Sequence, residues 1–190
     1  MNTTLYVING PSGAGKSHLL RYVENRFEGA RAIPKLTTRL RHPGEAGEVW
    51  SDLIHVSDER FAELDPEFQY TWNGYRYGVS RAELMSRLDG ARVGLVVVRD
   101  TATLRELATN LPGVDVVPVY VMADASTRRR RLIAAGLDDS DVSCRLDRDE
   151  DPARHYQSCA DLYRSCLENE SSLEEFHRRI SVMIAHHLDE

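Results

Sequence analysis

Residues 10–17 read Gly-Pro-Ser-Gly-Ala-Gly-Lys-Ser, the pattern G-x-x-x-x-G-K-[ST]. Glycines at Gly10, Gly13 and Gly15, with the small residues Ser12 and Ala14 between them, let the backbone curl until successive N–H groups point inward. That is a cradle for linked phosphates. Lys16 brings a point charge to the β- and γ-phosphates, and the Ser17 hydroxyl is an oxygen ligand for Mg²⁺. The pattern predicts binding of a nucleoside triphosphate, with ATP and Mg²⁺ as the cofactors. The chain has only two lysines, Lys16 and Lys35, and one of them stands where this loop requires it.

The elements around the loop are those it needs. Thr4–Asn9 reads as a short buried strand, and His18–Val23 continues as an amphipathic helix reaching about Phe27. Unbroken apolar runs at 92–98 and 114–122, separated by helical segments, mark a parallel sheet covered on both faces. A further short strand is expected at 31–34. Helices fit at 80–88, closed by Asp89-Gly90, at 101–110, and from Ala125 through Arg128–Arg131, a run that reads as a solvated face with Arg131 turned to the donor cleft. A last strand is expected within 161–167, and a C-terminal helix over 171–187 starts with Ser172 and Glu175 in capping-box spacing. The stretch from Lys35 to Tyr77 breaks this rhythm and reads as a small, partly β insertion. The expected fold is α/β: a three-layer P-loop NTPase domain spanning 1–190, with its core at 1–34 and 80–190, an insertion at about 35–79 and a lid at about 133–150.

Composition narrows the function. The 190 residues suit one domain, and a net charge of −6 argues against a large nucleic-acid footprint, which needs a basic face. A local basic cleft is still expected if the substrates are phosphates. Cys144, Cys159 and Cys166 are odd in number and lack a C-x-x-C pair, which favours free thiols in a reducing compartment. His155 and Cys159 stand four apart on an expected helix, a spacing read as packing because no second pair is near. No signal peptide or membrane span is evident, so a cytoplasmic location with no membrane partner is expected, and a homodimer is compatible with the reading.

The loop alone does not choose a reaction. A guanine-selective GTPase needs an Asn/Thr-Lys-x-Asp element, and lysine only at 16 and 35 excludes it. A small kinase needs a donor site, a second cationic pocket for the acceptor and a lid that supplies arginine. Asp100, after the strand at 92–98, is the sequence candidate for orienting or deprotonating an acceptor nucleophile, organising Mg²⁺ through water, or capping a helix.

Gly10–Ser17, Thr37-Thr38-Arg39, Pro43-Gly44-Glu45, Gly74-Tyr75-Arg76-Tyr77-Gly78, Ser143-Cys144-Arg145-Leu146 and Leu167-Glu168-Asn169-Glu170 follow one another as the landmarks of the guanylate kinase family do. The chain resembles that family over nearly its whole length. The resemblance implies that Arg39 holds the acceptor's phosphate, with Thr38 beside it and Arg41 or His42 assisting. It implies that Tyr77 hydrogen-bonds the same phosphate and that Arg145 reaches the transferring group with Lys16. An arginine fork suits a phosphate better than a lysine does.

Departures from the pattern concern the acceptor. The family's guanine-reading glutamate falls near Phe68, its acceptor-domain tyrosine near Leu53, a polar residue at Val79, and its Asp-x-Asp segment becomes Val98-Arg99-Asp100. Leu132–Gly136 lacks an arginine expected in the lid. The segment Thr71-Trp72-Asn73-Gly74-Tyr75-Arg76-Tyr77-Gly78-Val79 also resembles the ribose 1,5-bisphosphate kinases of the same fold. The expected activity is therefore phosphoryl transfer from Mg-ATP to a small phosphorylated acceptor, a sugar such as ribose 1,5-bisphosphate or an unusual nucleoside monophosphate. The alternatives are a true guanylate kinase and an inactive interaction module of the same fold.

Overall fold

The computed structural model describes residues 3–41, 50–149 and 151–188, the last three by backbone alone. Strand β1 (Thr3–Asn9) is the centre of a five-stranded sheet with order β2-β7-β1-β8-β9. Its neighbours β7 (Val93–Val97) and β8 (Val114–Met122) both run parallel to it, with Tyr6 opposite Leu95 on one side and Val117 on the other. The outer strands β2 (Ala30–Ala32) and β9 (Ser165–Glu168) are parallel too. Alternate residues of β1 point to opposite faces. Tyr6 and Ile8 pack under α1 (Lys16–Arg26) and α8 (Leu173–Leu188) with Leu19, Leu20 and Ile180. Leu5 and Val7 join Leu84, Leu104 and Leu107 from α3 (Arg81–Leu88) and α4 (Thr101–Asn110). Both faces are covered, so the apolar runs need not alternate. Burying each such side chain contributes about 1.5–3 kcal/mol.

A second sheet, order β4-β3-β6-β5, is built from β3 (Lys35–Thr37), β4 (Leu53–His55), β5 (Phe68–Trp72) and β6 (Tyr75–Val79). Asn73 (φ 53°) and Gly74 (φ 78°) both take left-handed conformations and close β5 onto β6, the hairpin that an Asn-Gly pair favours. Phe68, Tyr70, Tyr77 and Val79 face inward and merge with the core on the α4 side. The sheet thus leans over the C-terminal edge of the first, where β1 lies between β7 and β8. That edge is where open α/β sheets bind ligands.

Helix α2 (Asp58–Leu64) was not expected, because seven residues with Phe61 as their only buried side chain carry too little periodicity to read. Ser57 starts it by accepting from the Arg60 N–H at 3.2 Å. The strand expected within 161–167 begins later. Residues 160–162 form a 3₁₀ turn, with the Leu162 and Tyr163 N–H groups bonded to the Cys159 and Ala160 carbonyls, and pairing with β8 starts only at Val119–Ser165. The remaining helices are α5 (Ala125–Ala134), α6 (Asp139–Arg148) and α7 (Pro152–Ser158). Among the described residues no helix is long and apolar enough to cross a membrane. Cys159 donates to its own-helix carbonyl at His155 (3.0 Å), and among the described residues no cluster of three or more His, Cys, Asp or Glu is placed to hold a metal.

Candidate active site

At the end of β1 the Gly10 N–H is held by the Asn9 carboxamide oxygen at 2.5 Å, and the chain turns through Gly10 (φ 135°), Gly13 (φ 75°) and Gly15 (φ 102°). A side chain at Gly10 would overlap the Val121 carbonyl, and one at Gly15 would overlap the Asn169 carboxamide. Glycine is required at both by conformation and by space. Gly15 precedes α1 without offering a side-chain cap, so the first-turn N–H groups of α1 remain available to an anion. Asn169, just after β9, donates to the Ala14 carbonyl at 2.8 Å and braces the loop from behind.

Lys16 is buried, and its ammonium donates to the Pro11 carbonyl at 2.6 Å. Burial, then the Arg99 charge, push its pKa well below the ordinary lysine value. A desolvated ammonium of this kind gains when an anion is placed beside it. Together with the Ser17 hydroxyl, the glycine cradle and this cation form a donor set that fits a triphosphate with Mg²⁺.

Ser12, Gly13, Gly15, Lys16 and Ser17 line one cavity of about 930 Å³, while Gly10 and the wholly buried Ala14 shape the loop from beneath. The cavity continues to Arg39, Arg41 and Tyr77 on the second sheet and to Arg145 on α6. Donor loop and acceptor candidates therefore share one space. Nine Lys and Arg side chains line it against two carboxylates, Asp52 and Asp141, in a chain whose net charge is −6. Folding has concentrated the cations at the cleft, as phosphate substrates require.

Tyr77 stacks on Tyr70 with ring centroids 5.3 Å apart and lines the cavity. Burial raises its pKa, so at neutral pH its hydroxyl is a donor. Two expected site residues do not reach the cavity. The Thr38 hydroxyl accepts from the Arg76 N–H at 3.1 Å and ties β3's end to β6. Asp100 is the N-cap of α4, its carboxylate taken by the Thr103 N–H (2.7 Å) and hydroxyl (2.8 Å). Of the three roles open to Asp100 from the sequence, the structure shows the cap, and its carboxylate is not on the cavity wall. His42 and the Pro43-Gly44-Glu45 segment lie outside the described residues.

The residue before Asp100 matters more. Arg99 lines the cavity, donates to the Ser12 hydroxyl at 3.0 Å, lies 4.6 Å over the Trp72 ring and pairs with Asp149. Asp149 also accepts from the Ser12 N–H (2.6 Å) and from Arg128 (3.2 Å). Arg128 is thereby a buried structural cation, 2% exposed, and not part of a solvated face. Arg131 does border the cleft, held by the Asn169 carbonyl and side chain at 3.0 Å each. Lys35, the second lysine, and Asp52 form a buried ion pair at 3.1 Å, also on the cavity wall. Lysine scarcity was the one sequence signal that pointed to Lys35, and nothing local singled out Arg99, Asp52 or Asp149.

No family model matches the chain. Relatives are found among curated proteins. A guanylate kinase of Nitrobacter hamburgensis is 31% identical over 160 residues, covering 80% of this chain and 70% of that protein. A guanylate kinase of Chromohalobacter salexigens is 28% identical over 158 residues, covering 80% and 72%. The crystal structure of guanylate kinase from Anaplasma phagocytophilum shares the fold over the whole chain and 88% of its own, with a TM-score of 0.66 at 22% identity. With the phosphate loop and a cationic acceptor side opening into one cleft, these likenesses establish that the chain belongs to the guanylate kinase family, as a P-loop, ATP-dependent phosphotransferase that works with Mg²⁺.

Proposed function

We propose that the chain transfers the γ-phosphoryl group of Mg-ATP to the phosphate of a nucleoside monophosphate, with GMP as the principal acceptor. The observation that carries this reading is the single cavity joining Lys16 and Ser17 to Arg39, Tyr77 and Arg145. The name shared by the relatives supports GMP over the sugar-phosphate acceptor expected from the sequence. In this reading the insertion at 35–79 binds the acceptor, and the segment at 133–150 is a lid that brings in Arg145.

Each residue then has a physical task. The glycine loop and the α1 N-terminus bind the triphosphate, and Lys16 bridges its outer phosphates. Ser17 holds Mg²⁺, which supplies neutralising charge to the phosphate oxygens. The Arg39 fork grips the acceptor phosphate with two parallel N–H bonds, helped by Arg41, and Tyr77 donates a third bond. Arg145 places positive charge at the transferring group, where charge spreads in the transition state. The attacking atom is a phosphate oxygen that is already anionic. No general base is needed, in keeping with Asp100 serving as a cap.

A second reading, a phosphorylated sugar such as ribose 1,5-bisphosphate, is favoured by one feature. Phe68, where the resemblance puts the guanine-reading acid, is 1% exposed and packed in the core, and the cavity wall carries the Lys35 cation. Turnover of GMP, AMP, UMP and ribose 1,5-bisphosphate at equal concentration separates the readings. A kcat/KM for GMP at least about 100-fold above the others supports the first, since a site built on hydrogen bonds to a base discriminates at that level or beyond. Turnover of the sugar with GMP inert overturns it in favour of the second. ATP binding without transfer to any acceptor points to an inactive interaction module.

A further inference from the structure

Three parts of the molecule converge on Arg99, two residues beyond the end of β7. Its backbone is pinned from both sides: the N–H donates to the Tyr70 hydroxyl at 3.3 Å, and the carbonyl accepts from the Asn9 carboxamide at 3.2 Å. Its guanidinium donates to the Ser12 hydroxyl of the phosphate loop at 3.0 Å, lies 4.6 Å from the centroid of the Trp72 ring and pairs with Asp149, which closes α6. Ser12 and Asp149 engage two of the five N–H donors that a guanidinium carries. The Lys16 ammonium is bonded to the Pro11 carbonyl at 2.6 Å, one residue before Ser12. Two cations therefore flank the same rim of the loop, and both line the cavity. The charges around Asp149 do not balance. Its carboxylate is 2% exposed, accepts from the Ser12 N–H at 2.6 Å and pairs at 3.2 Å with Arg128, whose side chain is equally buried. Arg128 alone neutralises it. Arg99 leaves one positive charge in excess, and it is the one member of the three that lines the cavity.

We propose that Arg99 is a further catalytic residue of the phosphoryl transfer, presenting its guanidinium to the γ-phosphoryl group while Asp149 fixes it from outside the cavity. In that step the bond from the γ-phosphorus to the ADP oxygen breaks, and its electron pair stays with ADP. A phosphate oxygen of the acceptor supplies the pair for the new bond, and no proton moves. Charge spreads meanwhile over the three equatorial oxygens of the group in flight. A guanidinium already stacked, paired and anchored through its backbone meets that charge without reorganising, which is where fixed cations contribute most. Trp72 covers a face of the planar fork, so its remaining N–H groups address an anion edge-on. A lysine ammonium is a point charge with no plane to stack, and would not be fixed in this way. Asp149 is a positioning residue, acting through Arg99. A structural ion pair alone has no need of Arg99, because buried Arg128 already meets the carboxylate.

This inference rests on the transfer reaction of the proposed function and not on which acceptor is used. The test uses Mg-ATP with whichever acceptor of the panel above is turned over fastest. Arg99→Met is expected to lose at least about 100-fold in kcat, with the KM for ATP within threefold of the wild type. The second readout is binding of ADP with aluminium fluoride and the same acceptor, which imitates the group in flight. That complex should weaken by about the factor lost in kcat, while ADP alone binds within threefold, a split that a merely structural role would not produce. Arg99→Lys, which keeps the charge, should lose at least tenfold. Asp149→Asn should lower kcat at least tenfold in the wild-type background and less than threefold when added to Arg99→Met. Full additivity of those two substitutions would overturn the role given to Asp149. A kcat within threefold of the wild type in Arg99→Met, or in Arg99→Lys if the methionine variant does not fold, would overturn the proposal, as would equal weakening of ADP and of the analogue complex. A wild type that transfers to no acceptor would overturn the proposed function and this inference together.

Discussion

The donor side of the cleft is assembled from one stretch of chain, Asn9 to Ser17, whereas the wall facing it gathers Lys35, Asp52 and Tyr77 from three separate stretches. The first works mainly through backbone: glycines at positive φ, a helix N-terminus and one lysine. The second works through side chains whose meeting depends on the register of β3 against β4 and β6, and on how that sheet leans over α4. The difference is one of tolerance. A backbone cradle keeps its chemistry as long as its glycines and its turn survive, while a side-chain pocket changes its ligand when one position changes type. Position 68 illustrates this, since the phenylalanine there is buried in the core and adds nothing to the cleft.

The largest expected effect falls on the donor side. Lys16→Ala removes the only cation within the loop itself, and phosphoryl transfer should fall by about 10²–10³ in kcat, as when one preorganised donor is taken from a transition state. A steady-state assay measures it, and a loss under fivefold would mean that Arg99 or Arg131 does the work assigned to Lys16. On the acceptor side, Arg39→Ala should raise the acceptor KM by about 10- to 100-fold, the worth of hydrogen bonds to a charged group, with ATP binding retained. Unchanged acceptor affinity, measured by calorimetry, would break the division of the cleft into two halves.

A smaller effect concerns the back of the donor helix. His18 on α1 and His177 on α8 bring their Nε2 atoms to 2.8 Å, and His177 stacks on Tyr22 at 3.8 Å between centroids. Only one of the two Nε2 atoms can carry the shared hydrogen. Burial, then His177, Arg21 and Arg131, lower the pKa of His18 from its ordinary 6.5. The unfolded chain thus binds more protons near that pH than the folded one, and stability rises with pH there. The urea midpoint should fall as pH drops from 7 to below 6.5, and the fall should be shallower in His18→Phe. An equal slope in both proteins would remove the pair from the account.

Much of the fold was legible because its signals are local. The apolar runs at 92–98 and 114–122 could only be buried strands, and the broken rhythm from Lys35 to Tyr77 marked the partly β insertion that forms the second sheet. Helix α2 and the late start of β9 escaped because a seven-residue helix and a 3₁₀ turn leave no period in the sequence. In the site, Lys16, Ser17, Arg39, Arg41, Tyr77 and Arg145 were named from pattern and resemblance, and the structure sets all six around one cavity. Thr38 lies off the cavity because its hydroxyl is taken by the Arg76 N–H across the sheet, a contact between distant positions, while Asp100 takes the capping role that was one of its sequence alternatives.

By itself the sequence determined the phosphate loop, the alternation of strands and helices, and the family landmarks, since each depends on residues adjacent in the chain. Only the tertiary structure decided that Asp52 pairs with Lys35 on the cavity wall, that Arg99 bridges the donor loop and Asp149, and that Arg128 is buried within an exposed-looking run of arginines. Those contacts join positions distant in the chain. Their existence depends on strand register, sheet tilt and the exclusion of water, which arise from the whole chain packing at once and from no segment of it alone.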